Sequence, residues 1–118
     1  MSRNYKIYDQ TDLHYLTYAT VGWVDVLTRP DYKDIIVESL RHCQREKGFE
    51  LFAWCIMTNH VHLIARAKAG YQLQEILRDH KKFTSKALLK AVEGNPQESR
   101  REWLMDHFKR ADGGNQVW

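Results

Sequence analysis

Apolar and polar positions alternate from the first clearly patterned stretch of the chain. In "LHYLTYATVGWVDVL" (13–27), Tyr15, Thr17 and Ala19 alternate with Leu16, Tyr18 and Thr20 among β-branched and aromatic residues, which predicts a strand. Arg29-Pro30-Asp31 punctuates it, and Asp31 suits a helix start. From 32 to 47 the apolar Ile35, Ile36, Leu40 and Cys43 recur at helical spacing, with Gly48 where a C-cap belongs. "FELFAWCIM" (49–57) is almost wholly apolar, the pattern of a central strand covered on both faces. After Thr58-Asn59, "HVHLIARA" (60–67) predicts the second arm of a hairpin.

Past Gly70, residues 71–93 place Leu73, Ile76, Leu77, Phe83, Leu88 and Leu89 on a helical period, closed by Gly94-Asn95-Pro96. A further helix is predicted over 97–111, with Trp103, Leu104 and Phe108 as its apolar stripe. The tail "DGGNQVW" reads as a turn and the opening of a strand. The order β-α-β-β-α-α predicts an α+β fold: an antiparallel, ferredoxin-like (split β-α-β) sheet with helices on one face and its last strand barely begun. A length of 118 residues suits one domain, 1–118.

Composition narrows the class. Hydrophobic residues at 43% and charged residues at 28% describe a globular chain. No apolar run is long enough to span a bilayer and "MSRNYKIYDQ" carries no signal-peptide core, so a cytoplasmic home is expected. Cys43 and Cys55 read as free, buried thiols. The net charge of +3 is unevenly placed. Residues 66–90 carry seven cations against Glu75 and Asp79, while the rest of the chain is net acidic. Within that stretch Lys81, Lys82, Thr84, Ser85 and Lys86 form a basic, hydroxyl-bearing cluster suited to phosphate contacts, or else a solvated helix face. Trp23, Trp54, Trp103 and Trp118 are all able to stack on unpaired bases, but Trp54 and Trp103 read rather as core, and Trp118, at an expected exposed terminus, has no assignment.

The chemistry-bearing motif is "MTNHVHLI" (57–64). On a strand, residues two apart share a face about 7 Å from each other. His60 and His62 therefore project together, with Val61, Leu63 and Ala65 directed the other way. Two imidazoles on one face are suited to one divalent ion or to a hydrogen-bonded surface pair. His14, His42, His80 and His107 have no such pairing and read as structural or solvated.

"AWCIMTNHVHLI" resembles the signature of the REP-associated tyrosine transposases, HUH single-tyrosine enzymes of the insertion-sequence 200 type. The likeness extends to "YLTYATVGWVDVLTR", "YKDIIVESL", "LRDHKKFTSKALLKAVEGNPQESRREWL" and "NQVW". It implies a ferredoxin-like protein of DNA transposition and recombination that binds single-stranded or hairpin DNA. His60 and His62 would hold a divalent metal, Mg²⁺ or Mn²⁺, on the scissile phosphate. In the family a tyrosine hydroxyl attacks that phosphate, leaving a 5′-phosphotyrosine and a free 3′-OH.

That tyrosine lies in a later segment resembling "DYIHxNPV", which has no counterpart before Trp118. The expectation is a chain lacking the catalytic helix and the covalent step. Tyr71 sits at the end of the hairpin, Tyr5 and Tyr8 lack supporting sequence, and Phe83 reads as a core aromatic. A sheet missing its last strand also exposes an edge, which suits a homodimer. The competing readings are an active strand-transferring nuclease with an unrecognised tyrosine, and a regulatory domain with an incidental histidine pair.

Overall fold

Three antiparallel strands in the spatial order β1-β3-β2 form the sheet of the computed structural model, which describes residues 9–110 and 114–118. The elements run β1 (His14–Ala19), a 3₁₀ turn (Val21–Trp23), α1 (Pro30–Glu46), β2 (Phe49–Ile56), β3 (His60–Ala67), α2 (Leu73–Glu93) and α3 (Arg101–Lys109). This is the expected α+β, split β-α-β sheet with helices on one face. Pro30 at the first turn of α1 supplies a preset φ. Gly48 reverses the chain at φ +66, and a Cβ there would lie 2.3 Å from the Tyr71 ring, so glycine is required.

The alternation decides which face is dry. Leu16 and Tyr18 on β1, and Val61, Leu63 and Ala65 on β3, are each at most 1% exposed and pack against the helices. Tyr15, Thr17, His60, His62 and Ile64 occupy the other face, which no described helix covers.

Several sequence expectations need correcting. The first strand ends at Ala19 and gives way to the 3₁₀ turn. β3 is central, and β2 is an outer strand irregular between Leu51 and Ala53. Trp54 and Cys55 are exposed there because no described strand flanks β2 on its far side. Both cysteines are free, and only Cys43 is buried, which pushes its thiol pKa up. Phe83 and Trp103 are also exposed, at 60% and 55%.

Trp118, expected at an exposed terminus, is 1% exposed. Its indole stands edge-on to Tyr18, ring centroids 4.9 Å apart, and its Nε1 donates to Thr84 Oγ1 at 2.8 Å. The described tail (114–118) forms no strand. Instead the Val21 N–H donates to the Val117 carbonyl at 2.7 Å, and the Val117 N–H to Ser85 Oγ at 3.2 Å. Asp112, Gly113 and the end of the predicted helix at Ala111 lie outside the described residues.

Candidate functional site

β3 places His60 and His62 side by side on the uncovered face, both half-buried, with ring centroids 4.6 Å apart and planes at 87°. Each ring is gripped at Nδ1. His60 Nδ1 lies 2.7 Å from Asn59 Oδ1, an acceptor, so Nδ1 carries the proton and Nε2 keeps its lone pair. His62 Nδ1 lies 2.6 Å from the Tyr15 hydroxyl and 3.2 Å from Thr17 Oγ1, both supplied by β1 in register with β3. The Tyr15 ring lies almost parallel to His62, and the Trp23 ring stands against His60 at 5.9 Å.

Binding at Nδ1 by a neighbour is how ligating histidines are oriented, with Nε2 left for the ion. The donor set fits a divalent metal as an incomplete site. It offers two imidazole nitrogens, and among the described residues no third His, Cys, Asp or Glu joins them. Phosphate oxygens and water would supply the remaining positions. Mn²⁺ tolerates this mixture of nitrogen and oxygen better than Mg²⁺, which favours oxygen alone.

The sequence of residues 17–111 matches the model of the family described as "Transposase IS200 like". The chain belongs to the IS200-like transposase family. Its fold also matches the crystal structure of a candidate transposase from Deinococcus radiodurans R1, with a TM-score of 0.63 at 20% identity, over 99% of this chain and 79% of that one. At that identity the likeness speaks for the fold alone. No curated protein shows a significant sequence match. Membership in a transposase family implies DNA as the partner.

The basic cluster of this IS200-like chain is not assembled as its sequence suggested. Lys82 and Lys86 are exposed, but Lys81, Thr84 and Ser85 are buried. Thr84 Oγ1 donates to the His80 carbonyl and accepts from Trp118, and Ser85 Oγ accepts from Val117, so both hydroxyls are engaged in holding the tail. The Lys81 ammonium lies 5.4 Å from the centre of the Tyr18 ring, and burial lowers its pKa to about 8.

What α2 presents instead is a cationic row at four-residue steps: Arg78, Lys82, Lys86 and Lys90, all exposed. The row borders a groove of about 900 Å³ between α2, α3 and the tail, joined by Lys109 from α3. The four-residue spacing was present in the sequence, whereas the contiguous Lys-Lys-Phe-Thr-Ser-Lys run includes three side chains, Lys81, Thr84 and Ser85, that the fold buries. Row and histidine pair lie on opposite sides of the sheet, because α2 packs on the Tyr18 face.

Tyr71, half-exposed, follows the end of β3 remote from His60 and packs over Gly48, away from the histidines. Tyr5 and Tyr8 lie outside the described residues. No described helix is long and apolar enough to cross a membrane.

Proposed function

We propose that this chain is a single HUH domain, of the REP-associated kind within its family, that binds single-stranded or hairpin DNA and holds a divalent ion through His60 and His62. The observation that carries the reading is the pair itself: two adjacent imidazoles on a sheet face that no described helix covers, each engaged at Nδ1. When bound, the ion would polarise a phosphodiester and offset charge developing on its oxygens. Asn59, Tyr15 and Thr17 fix the ring orientations before any ligand arrives. Arg78, Lys82, Lys86 and Lys90, with Lys109 beside them, offer a surface for the phosphate backbone that positions DNA without reading its sequence.

No tyrosine among the described residues stands in a segment like that of the family's nucleophile, and Tyr5 and Tyr8 lie outside those residues. Tyr18 and Tyr32 are buried and Tyr71 lies away from the histidines. The chain is therefore expected to bind DNA and Mn²⁺ without forming the covalent link. Calorimetric titration tests the metal step. Wild type should bind Mn²⁺ and His60→Ala and His62→Ala should not; a wild type that takes up no Mn²⁺, or variants that bind as well, would sink the assignment. A denaturing gel after incubation with hairpin DNA and Mn²⁺ should show no adduct.

One observation favours the second reading, an active strand-transferring enzyme: the exposed Tyr15 hydroxyl beside His62. A covalent adduct lost in Tyr15→Phe would establish it. The outer edges of β1 and β2 are free of strand partners among the described residues, and a homodimer through one of them belongs to the same proposal. Sedimentation of the purified chain at two concentrations checks that.

A further inference from the structure

Trp23 is an aromatic residue that neither burial nor local propensity explains. It is 64% exposed, yet its backbone is held at φ +58, a left-handed conformation that is costly for a bulky L residue. Such a cost persists only where the surroundings dictate the conformation, and here they do. Gly22, at φ +69, precedes it, and a Cβ on Gly22 would come within 2.9 Å of the His107 ring. His107 Nε2 in turn lies 2.9 Å from the Val21 carbonyl, and the Trp23 N–H donates to the Thr20 carbonyl at 3.0 Å. The turn is clamped from two sides to display an indole to solvent.

Where the indole stands is equally specific. Asn59 grips both neighbours: its Nδ2 donates to the Trp23 carbonyl at 3.3 Å, and its Oδ1 accepts from His60 Nδ1. One side chain thus fixes Trp23 relative to the candidate metal ligand, with ring centroids 5.9 Å apart. The strand positions of this sheet face contribute a single cation, Arg66, and it is ion-paired to Glu50 at 2.8 Å. A nucleic acid lying here gains little from fixed positive charge on the described strands. Its favourable contact, apart from an ion at the histidines, is a ring face. Duplex DNA keeps its base faces stacked against one another, whereas an unpaired base has one to offer.

We propose that Trp23 is the stacking platform for an unpaired base next to the phosphate at His60 and His62, which makes this site selective for single-stranded DNA. This rests on the function proposed above and adds the residue that enforces the strand preference. The test measures binding of the full chain to a labelled thymidine oligonucleotide in Mn²⁺, beside an abasic oligonucleotide of equal length and a blunt duplex.

Trp23→Gly removes the ring and suits the positive φ, so the variant should melt no lower than wild type. It should bind the thymidine strand roughly ten-fold more weakly or worse, about as weakly as wild type binds the abasic strand. Trp23→Phe should restore most of the affinity, and the salt dependence and duplex binding should be unchanged in both variants. Wild-type affinity for the thymidine strand in Trp23→Gly, or equal wild-type affinity for thymidine and abasic strands, would overturn the stacking role while leaving the function standing. Failure of wild type to bind any single strand would overturn both.

Discussion

Tyr15 is two-thirds exposed, and its hydroxyl meets His62 at Nδ1. With Thr17 beside it, His62 has two hydroxyl neighbours at one nitrogen, and His60 has the amide oxygen of Asn59. Partners of this kind hold each ring in its orientation, and their loss typically lowers metal affinity about 10–100-fold. Tyr15→Phe keeps the ring and removes the hydroxyl, so Mn²⁺ binding by calorimetry should weaken within that range while the melting temperature stays close to wild type. An unchanged Mn²⁺ affinity would show that the contact orients nothing. The histidine pair was legible in the sequence because strand alternation alone places i and i+2 together. Its neighbours were not, since Tyr15 and Thr17 reach His62 only through the pairing of β1 with β3, 45 or more residues away in the chain. Trp118 escaped for the same reason: burial of a terminal aromatic depends on a pocket built by β1 and α2, which nothing local announces.

α2 shows how an element can be read correctly and its faces wrongly. Its buried positions fall in two rows of four-residue steps, Leu73-Leu77-Lys81-Ser85-Leu89 and Ile76-His80-Thr84-Leu88-Val92. A row of this spacing drifts about 40° around the axis at each step, because an α-helix turns once in 3.6 residues. The buried stripe therefore winds away from Phe83, which simple periodicity had set beside Ile76. It also draws polar residues inside, each with a partner. His80 lies between Tyr18 OH at 2.5 Å and Ser39 Oγ at 2.7 Å. Burial, with the neighbouring Lys81 charge adding to it, lowers the His80 pKa from 6.5 to about 3. The folded protein then binds fewer protons than the unfolded chain between those values. The His80 contribution is full above pH 6.5 and is lost as pH drops toward 3, by at most about 1.4 kcal/mol per pH unit. Lys81, lowered from 10.5 to about 8, acts in the same sense between pH 8 and 10.5. Urea unfolding at pH 7, 5 and 4 should show the acid loss in wild type and a flatter response in His80→Gln; equal slopes would remove His80 as its source. Trp118→Ala, which empties the pocket against Tyr18 and leaves Thr84 without its indole partner, should cost about 3–5 kcal/mol in the same assay at pH 7.

Across the whole molecule the sheet separates two kinds of surface. One side carries the histidine pair flanked by the exposed Tyr15 and Trp23, and the other carries the α2 row of cations. The layered α+β fold was legible because each element has its own period. The strand order was not: the apolar run of 49–57 looked central, but its neighbour "HVHLIARA" took the middle through pairing with β1. A DNA segment engaging both sides must extend around the sheet, and the two contributions then separate by their salt response. Each phosphate contact to a single strand steepens the dependence of log affinity on log salt by about 0.7. Replacing Arg78, Lys82, Lys86 and Lys90 by Gln should lower that slope by up to about 3 and weaken binding uniformly across sequences. Mn²⁺ affinity should be untouched, because the row and His60 and His62 sit on opposite faces of the sheet. A slope that survives the four substitutions would move the phosphate path off α2, and a parallel loss of Mn²⁺ binding would mean that the two faces are not independent.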